Sequence, residues 1–112
     1  MKIRIKGNTI RFRVTRPEVA KLAEGAALRE SMEFGAGQRL VWILDRGAGF
    51  EAAFRDGMVT VRLPASDVER WAAGDDEGIY GTSGTIDIAV EKDFACLGRA
   101  ADPDAFPNPG KC

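Results

Sequence analysis

Polar and apolar side chains alternate through most of the first fourteen residues, with the two-residue period of a half-buried β-strand. Residues 2–6 read Lys-Ile-Arg-Ile-Lys, and residues 9–14 read Thr-Ile-Arg-Phe-Arg-Val. Gly7 and Asn8 lie between these runs, and both residue types tolerate the positive φ of a tight turn. The pattern therefore predicts a hairpin with one apolar face and one basic face.

Short apolar or alternating runs recur along the rest of the chain and are separated by glycine-rich turns. They predict six further strands, at residues 28–34, 39–44, 50–54, 58–63, 78–82 and 85–91. Short connections favour antiparallel pairing between strands that follow one another. The sequence thus predicts an α+β fold: a predominantly antiparallel curved sheet or open barrel of about seven to eight strands with two short helices.

Two capping patterns mark the starts of the helices. A Thr-x-x-Glu pattern begins at Thr15, and Gly25 is a natural C-terminal stop for the helix that follows. A Ser-x-x-Glu pattern begins at Ser66, and Gly74 is the corresponding stop. We therefore expect the second helix to start near Ser66, with Ser66 as its N-cap.

The two helical segments resemble each other. Residues 10–25 align with residues 59–74 at a constant offset of 49 (59 minus 10), and residues 40–44 match 86–90 at an offset of 46 (86 minus 40). The capping patterns depart from the first offset (66 minus 15 is 51), which predicts a later start for the second helix. The alignment predicts two pseudo-symmetric strand-helix-strand-strand halves. A chance match of strand, helix and glycine cap is the alternative.

The domain boundaries follow from the positions of the halves and of proline. We expect a single α+β domain at residues 1–97, with halves at about 1–50 and 51–97. Prolines at positions 103, 107 and 109 prevent regular structure near the end. Residues 98–112 are therefore predicted to be an extended, Pro-rich tail.

Composition narrows the class of protein. The 112 residues are 45% hydrophobic, which is enough for a core, and the net charge is −1. That charge argues against bulk binding to nucleic acid or to an anionic membrane surface. No apolar run approaches the length of a membrane span, and the charged N-terminus lacks an apolar signal-peptide core. We therefore expect a cytoplasmic protein, in which Cys96 and Cys112 are thiols; a redox-sensitive protein that uses these two cysteines is the alternative.

Three motifs carry a resemblance to a known family. The chain opens Lys-Ile-Arg-Ile-Lys-Gly-Asn from Lys2, residues 90–97 read Val-Glu-Lys-Asp-Phe-Ala-Cys-Leu, and residues 106–109 read Phe-Pro-Asn-Pro. These motifs resemble a family of small, uncharacterised bacterial proteins, and the similarity runs the whole length of the chain. The resemblance implies a stand-alone bacterial domain. It implies no activity, cofactor or catalytic residue.

Cations on the basic face of the first hairpin are the candidate ligand-binding residues, and the repeat adds one more. These six residues are Lys2, Arg4, Lys6, Arg11, Arg13 and Arg62. On a concave surface they would bind a polyphosphate, because guanidinium groups clamp phosphate oxygens in pairs. The alternative is a solvated sheet face whose charge is balanced by Glu30, Glu33 or Glu51.

The strand-strand-helix-strand repeat also resembles half of a triphosphate tunnel enzyme. Those enzymes carry Glu-x-Glu-x-Lys in the first strand, and the two carboxylates hold metal. The corresponding positions here are Lys2, Arg4 and Lys6. Because the carboxylates are missing, the resemblance supports anion binding without a metal site and leaves the enzymatic activity in doubt.

No catalytic constellation is evident in the sequence. The chain has no histidine and no Cys-x-x-Cys pair, so we expect neither a metal nor a cofactor. Residues 75–77 are acidic but lack the spacing of a calcium loop. The favoured hypothesis is a non-enzymatic binding or interaction module, with enzymatic activity left open. A homodimer through an edge strand such as 39–44 is one form it could take.

Overall fold

The computed structural model of the chain describes residues 1–94, 104 and 106. The strands in this part are β1 (Lys2–Lys6), β2 (Thr9–Val14), β3 (Leu28–Gly35), β4 (Gln38–Gly47), β5 (Glu51–Arg55), β6 (Met58–Pro64), β7 (Gly78–Ser83) and β8 (Ile86–Lys92). The helices are α1 (Arg16–Ala23) and α2 (Ala65–Ala73). All the predicted strands and both predicted helices are present, with small shifts at their ends. Cys96, Cys112 and most of the predicted tail lie outside the described residues.

The strands form two four-stranded sheets rather than one. The first sheet has the order β1-β2-β8-β7 and the second has the order β3-β4-β6-β5. The outer pairs of both sheets are antiparallel, but the central pairs, β2 with β8 and β4 with β6, are parallel. The predicted open barrel is therefore wrong, and the predicted antiparallel pairing is correct only for the outer strand pairs. The helices are the reason: each one carries the chain from one sheet to the other, so β2 does not pair with β3.

The element order strand-strand-helix-strand-strand occurs twice along the chain. Each sheet combines the first two strands of one half with the last two strands of the other. The helices begin at Arg16 and Ala65, which are 49 residues apart (65 minus 16). The later start predicted for α2 is therefore wrong. Ser66 lies inside the helix instead of capping it, because Pro64 occupies the N-cap position.

Helix α1 is bounded by local hydrogen bonds. The backbone N–H of Thr15 donates to Glu18 Oε1 over 2.8 Å, the return bond of a capping box. At the other end Gly25 adopts a φ of +102°, which only glycine accepts without strain. This conformation lets Gly25 N–H donate to Leu22 O and Ala26 N–H donate to Lys21 O, the two bonds of a Schellman motif. The predicted start and stop of α1 are confirmed.

The two sheets and two helices enclose one hydrophobic core. Strand residues alternate into it, including Phe12 and Val14 from the first sheet and Leu44 and Val61 from the second. Trp71 of α2 is fully buried, and its indole N–H donates to Glu77 O over 3.1 Å. Replacing a core leucine of this kind by alanine typically costs about 2–5 kcal/mol. The core therefore holds both halves in one folded unit.

The two ends of the molecule differ. The chain enters α1 from β2 and α2 from β6, so both helices lie at the end where β2 and β6 finish. The four hairpin turns lie at the opposite end, because each joins a strand leaving the helices to one returning toward them. We call this the open end, since within the described residues no helix covers it.

Candidate functional site

Five of the six candidate cations lie on one face of the first sheet. Register pairs Lys2 with Arg13 and Arg4 with Arg11, and Lys6 continues the same row of β1. Their neighbours Ile3, Ile10 and Phe12 point to the core side, so the cations lie on the outer face. Arg62 is on β6 of the second sheet, where it forms an ion pair with Glu51. The structure therefore does not bring all six together.

Carboxylates from β8 and the residue that follows it neutralise much of this basic face. Glu91 lies 3.4 Å from Arg11 Nε and 3.9 Å from Arg13 Nε. Asp93 lies 3.1 Å from Lys2 Nζ. Of the three expected counterions, Glu51 does pair with a candidate cation, Arg62. Glu30 and Glu33 instead pair with the Met1 amino group and with Arg39, so the expectation is wrong for these two carboxylates. Within the described part of the chain, Arg4 and Lys6 have no ion-pair partner.

Glu91 also forms a hydrogen bond with the phenol of Tyr80 and affects its pKa. Tyr80 Oη donates to Glu91 Oε2 over 2.7 Å from the neighbouring strand β7. Burial and this bond raise the pKa of Tyr80 to about 12, because the phenolate would be desolvated and would face the carboxylate. The phenol therefore stays protonated at neutral pH and acts as a hydrogen-bond donor. This pair was not predictable from the sequence, because it arises from the cross-strand contact between β7 and β8.

The N-terminal amino group joins three elements at the helix end. It lies 2.6 Å from Glu18 Oε2 of α1 and 2.8 Å from Glu30 Oε2 of β3. Desolvation opposes the charged forms, but the hydrogen bonds outweigh it. They raise the pKa of the amino group and, with the bonds from Thr15, lower the pKa of Glu18. This cluster has a structural role, since it ties β1 to α1 and β3.

Exposed apolar side chains gather at the open end. Register places Trp42, Val59 and Phe54 side by side across the core face of the second sheet, and Met32 opposite Leu40 in the next row. Ile5 of the first sheet lines a cavity of about 270 Å³ together with Phe54 and Val59 of the second sheet. We call this set the open-end surface; its residues are Ile5, Met32, Leu40, Trp42, Phe54 and Val59.

The side chains of the open-end surface lie where the apolar faces of the sheets extend beyond the buried core, so several of them are exposed to solvent. Ile5 is 62% exposed, Met32 49% and Phe54 69%, although all three belong to the apolar face of their strands. Trp42 is half-buried, and its indole nitrogen is buried without a hydrogen-bond partner among the described residues. The sequence analysis did not predict this surface. Alternation indicates which face of a strand is apolar, but it does not indicate which of the apolar residues stay exposed to solvent.

A second cavity lies between the helices. It has a volume of about 740 Å³, and its floor includes Val14, Val19 and Ala72. Arg16, Glu24, Glu69, Lys92 and Asp93 also line it. Phe94, the last residue before an undescribed stretch, also lies against it. The described walls therefore combine charges of both signs around an apolar floor.

The edge strand expected at residues 39–44 is not an edge. β4 lies between β3 and β6, so its backbone is paired on both sides. The free edge on that side belongs to β3, whose residues from Arg29 to Gly35 are all exposed. The prediction failed because the hairpin partner, β3, occupies the outer position.

Together these features define an α+β protein of two mixed sheets, with helices at one end and an apolar surface at the other. The chain belongs to a family of unknown function, DUF7009, which it matches over residues 1–110. This confirms that it is a member of a functionally uncharacterised family along nearly its whole length. No curated protein and no solved structure matches it. Neither described helix is long and apolar enough to cross a membrane. Nowhere in the described chain do three or more potential metal ligands cluster.

Proposed function

We propose that this protein is a non-enzymatic binding module that holds another protein against the open-end surface. The observation that carries the proposal is the group of large apolar side chains left exposed on the apolar faces of the strands at the open end. Single exposed apolar residues are common, whereas a connected apolar surface is typical of an interaction site. A partner covering Ile5 and Phe54 would complete the core at the end that the helices leave open.

The repeat links this surface to the fold. Ile5 and Phe54 are 49 residues apart (54 minus 5), the offset that separates the helix starts. We propose that the halves are a duplication and that the two residues are equivalent positions within it. Buried pairs at the same offset, such as Leu22 with Trp71, support this proposal.

Perturbed titration sites also favour binding over catalysis. Strongly shifted pKa values in clefts are typical of active sites. Here the shifted groups in the described chain are the Met1 amino group, Glu18 and Tyr80. Each shift is accounted for by a structural pairing, and none of these groups lines either cavity.

Site-specific photo-crosslinking in extract of the source organism tests the proposal. A photoreactive residue at Phe54 should give a discrete adduct with a second protein, whereas one at Lys21, an exposed position at the helix end, should not. Unchanged thermal unfolding of both variants shows that the fold is intact. The proposal fails if Phe54 gives no adduct, or the same adducts as Lys21.

Anion binding is a second candidate, reduced to the two of the six candidate cations for which the described residues provide no ion-pair partner. Arg4 and Lys6 project from one face of β1 beside the first hairpin turn, and Glu91 and Asp93 do not engage them. Triphosphate at about 100 times its dissociation constant should then stabilise the fold by roughly 2.7 kcal/mol, with a smaller effect at high salt. Arg4→Gln should abolish this stabilisation, and Arg55→Gln, on the other sheet, should leave it unchanged. No shift with the wild type rejects anion binding.

A further inference from the structure

Strand β3 is the least protected edge of the two sheets. With eight residues it is the longest of the four edge strands in the described chain. β1 carries three cationic side chains, and charges on an edge strand disfavour its pairing with another chain. β5 and β7 lie close together, with Phe50 over Gly81. β3 has neither lysine nor proline, and among the described residues no strand pairs with the backbone groups on its free edge.

We propose that two copies of this chain pair through β3, antiparallel about a two-fold axis at Ser31. The pairing would join the two second sheets into one continuous eight-stranded sheet. The dimer interface shares Met32 with the open-end surface, but Phe54 lies on β5 at the opposite edge of the second sheet, so the dimer and the crosslink at Phe54 can fail independently.

Backbone geometry limits the possible registers. Successive residues of β3 direct their N–H and C=O groups alternately toward β4 and toward the free edge. Residues that point outward must therefore face outward-pointing residues of the partner strand. This condition places the two-fold axis on a residue and not between two residues. Near the middle of β3 the axis can pass through Glu30, Ser31 or Met32.

Charge selects one of these three registers. An axis at Glu30 places the two Glu30 carboxylates opposite each other, which is unfavourable. An axis at Met32 brings no opposite charges together. An axis at Ser31 places Arg29 opposite Glu33 of the partner subunit, and symmetry repeats this pair. It also places Met32 opposite Glu30 of the partner subunit, and Glu30 is already paired with an amino group over 2.8 Å.

The neighbouring strand extends the charge pattern. Arg39 of β4 lies 3.8 Å from Glu33 on the same outer face. In the dimer Glu33 would lie between Arg39 of its own chain and Arg29 of the partner subunit, so cations flank the carboxylate on both sides. The β-bulge between Glu33 and Gly35 interrupts the strand just beyond this pair. It confines the pairing to one short segment.

A charge-reversal experiment tests the dimer. Light scattering on the purified chain should give twice the 12.1 kDa chain mass. Arg29→Glu alone and Glu33→Arg alone should each weaken association at least about tenfold, because each places like charges opposite each other. Mixing these two variants should restore a dimer, since one then carries two carboxylates and the other two guanidinium groups. The control Arg55→Glu should dimerise like the wild type.

The outcomes separate the dimer from folding defects and from the binding function. Recovery of dimer in the mixture shows that both variants are folded. A wild type that stays monomeric at millimolar concentration, or a dimer unaffected by either reversal, overturns the proposal. Phe54 adducts that persist in Arg29→Glu show that the open-end surface works without the dimer. A dimer with no such adducts supports self-association and rejects the binding function.

Discussion

At the scale of single residues, Glu91 connects the charges of the first sheet. Its carboxylate accepts a hydrogen bond from the Tyr80 hydroxyl and lies within ion-pair distance of Arg11 and Arg13. The pattern of cations on β1 and β2 was readable from the sequence. Their counterions were not, because Glu91 lies beside Arg13 only through the parallel pairing of β2 with β8. The expectation that Arg62 joins the five hairpin cations was also wrong, because strand pairing places β6, and Arg62 with it, in the second sheet.

The Tyr80–Glu91 pair gives a spectroscopic prediction. We expect Tyr80 to ionise with a pKa of about 12 in the folded protein and nearer the ordinary value of 10.0 in Glu91→Gln. Because the folded pKa is raised, the pair stabilises the fold below pH 10 and this stabilisation is lost as the pH rises toward 12. Tyr80 is the chain's one tyrosine, so phenolate absorbance reports on it alone. Identical titrations of the two proteins would contradict the assignment.

The amino-terminal cluster predicts how stability depends on pH. Glu18 has a lowered pKa, so its contribution is present above pH 4.5 and is lost as the pH falls through the folded value. The amino group has a raised pKa, so its contribution is present below pH 8.0 and is lost at higher pH. The difference in unfolding free energy between wild type and Glu18→Gln should therefore be largest between pH 4.5 and pH 8.0. Urea unfolding from below pH 4.5 to above pH 8.0 measures this difference, and a difference that stays constant over that wider range would contradict the prediction.

At the scale of elements, the local signals in the sequence were reliable. Alternation and glycine turns depend on neighbouring residues, so they located the strands and α1 closely. The start of α2 was wrong because Ser66 satisfies a capping pattern one residue after the observed first residue, Ala65. Strand pairing beyond hairpins was not predictable, because β2 and β8 are far apart in sequence and alternation does not specify a partner.

The contact between β5 and β7 can be tested with one methyl group. A Cβ on Gly81 would lie 2.5 Å from the Phe50 ring, so the ring or the strand must move. Gly81→Ala should lower the unfolding free energy by about 1–3 kcal/mol, whereas Gly49→Ala, in open space, should change it by under about 0.5 kcal/mol. In a Phe50→Ala background the Gly81→Ala cost should largely disappear. Equal effects at the two glycines would show that Phe50 does not constrain β7.

At the scale of the whole molecule, each sheet contains strands from both halves, so neither half contains a complete sheet. Fragments 1–48 and 49–112 should each lack a stable monomeric fold, because each separates strands from their partners in both sheets. Mixed at equal concentration, they should regain β-sheet circular dichroism and cooperative thermal unfolding. A fragment that folds alone as a monomer would contradict the interleaved arrangement. The same interleaving explains why one hydrophobic core takes side chains from both halves of the chain.

The position of β8 also has a consequence for synthesis on the ribosome. β2 is complete at Val14, but its partner in the centre of the first sheet begins at Ile86. Thr9 of β2 pairs with Asp87 of β8, which is synthesised 78 residues later (87 minus 9). At about 5–20 residues per second, that delay is roughly 4–16 s. Throughout this interval the edge of β2 that pairs with β8 stays unpaired, so we expect the nascent chain to be most prone to aggregation, and most dependent on chaperones, at this stage of translation.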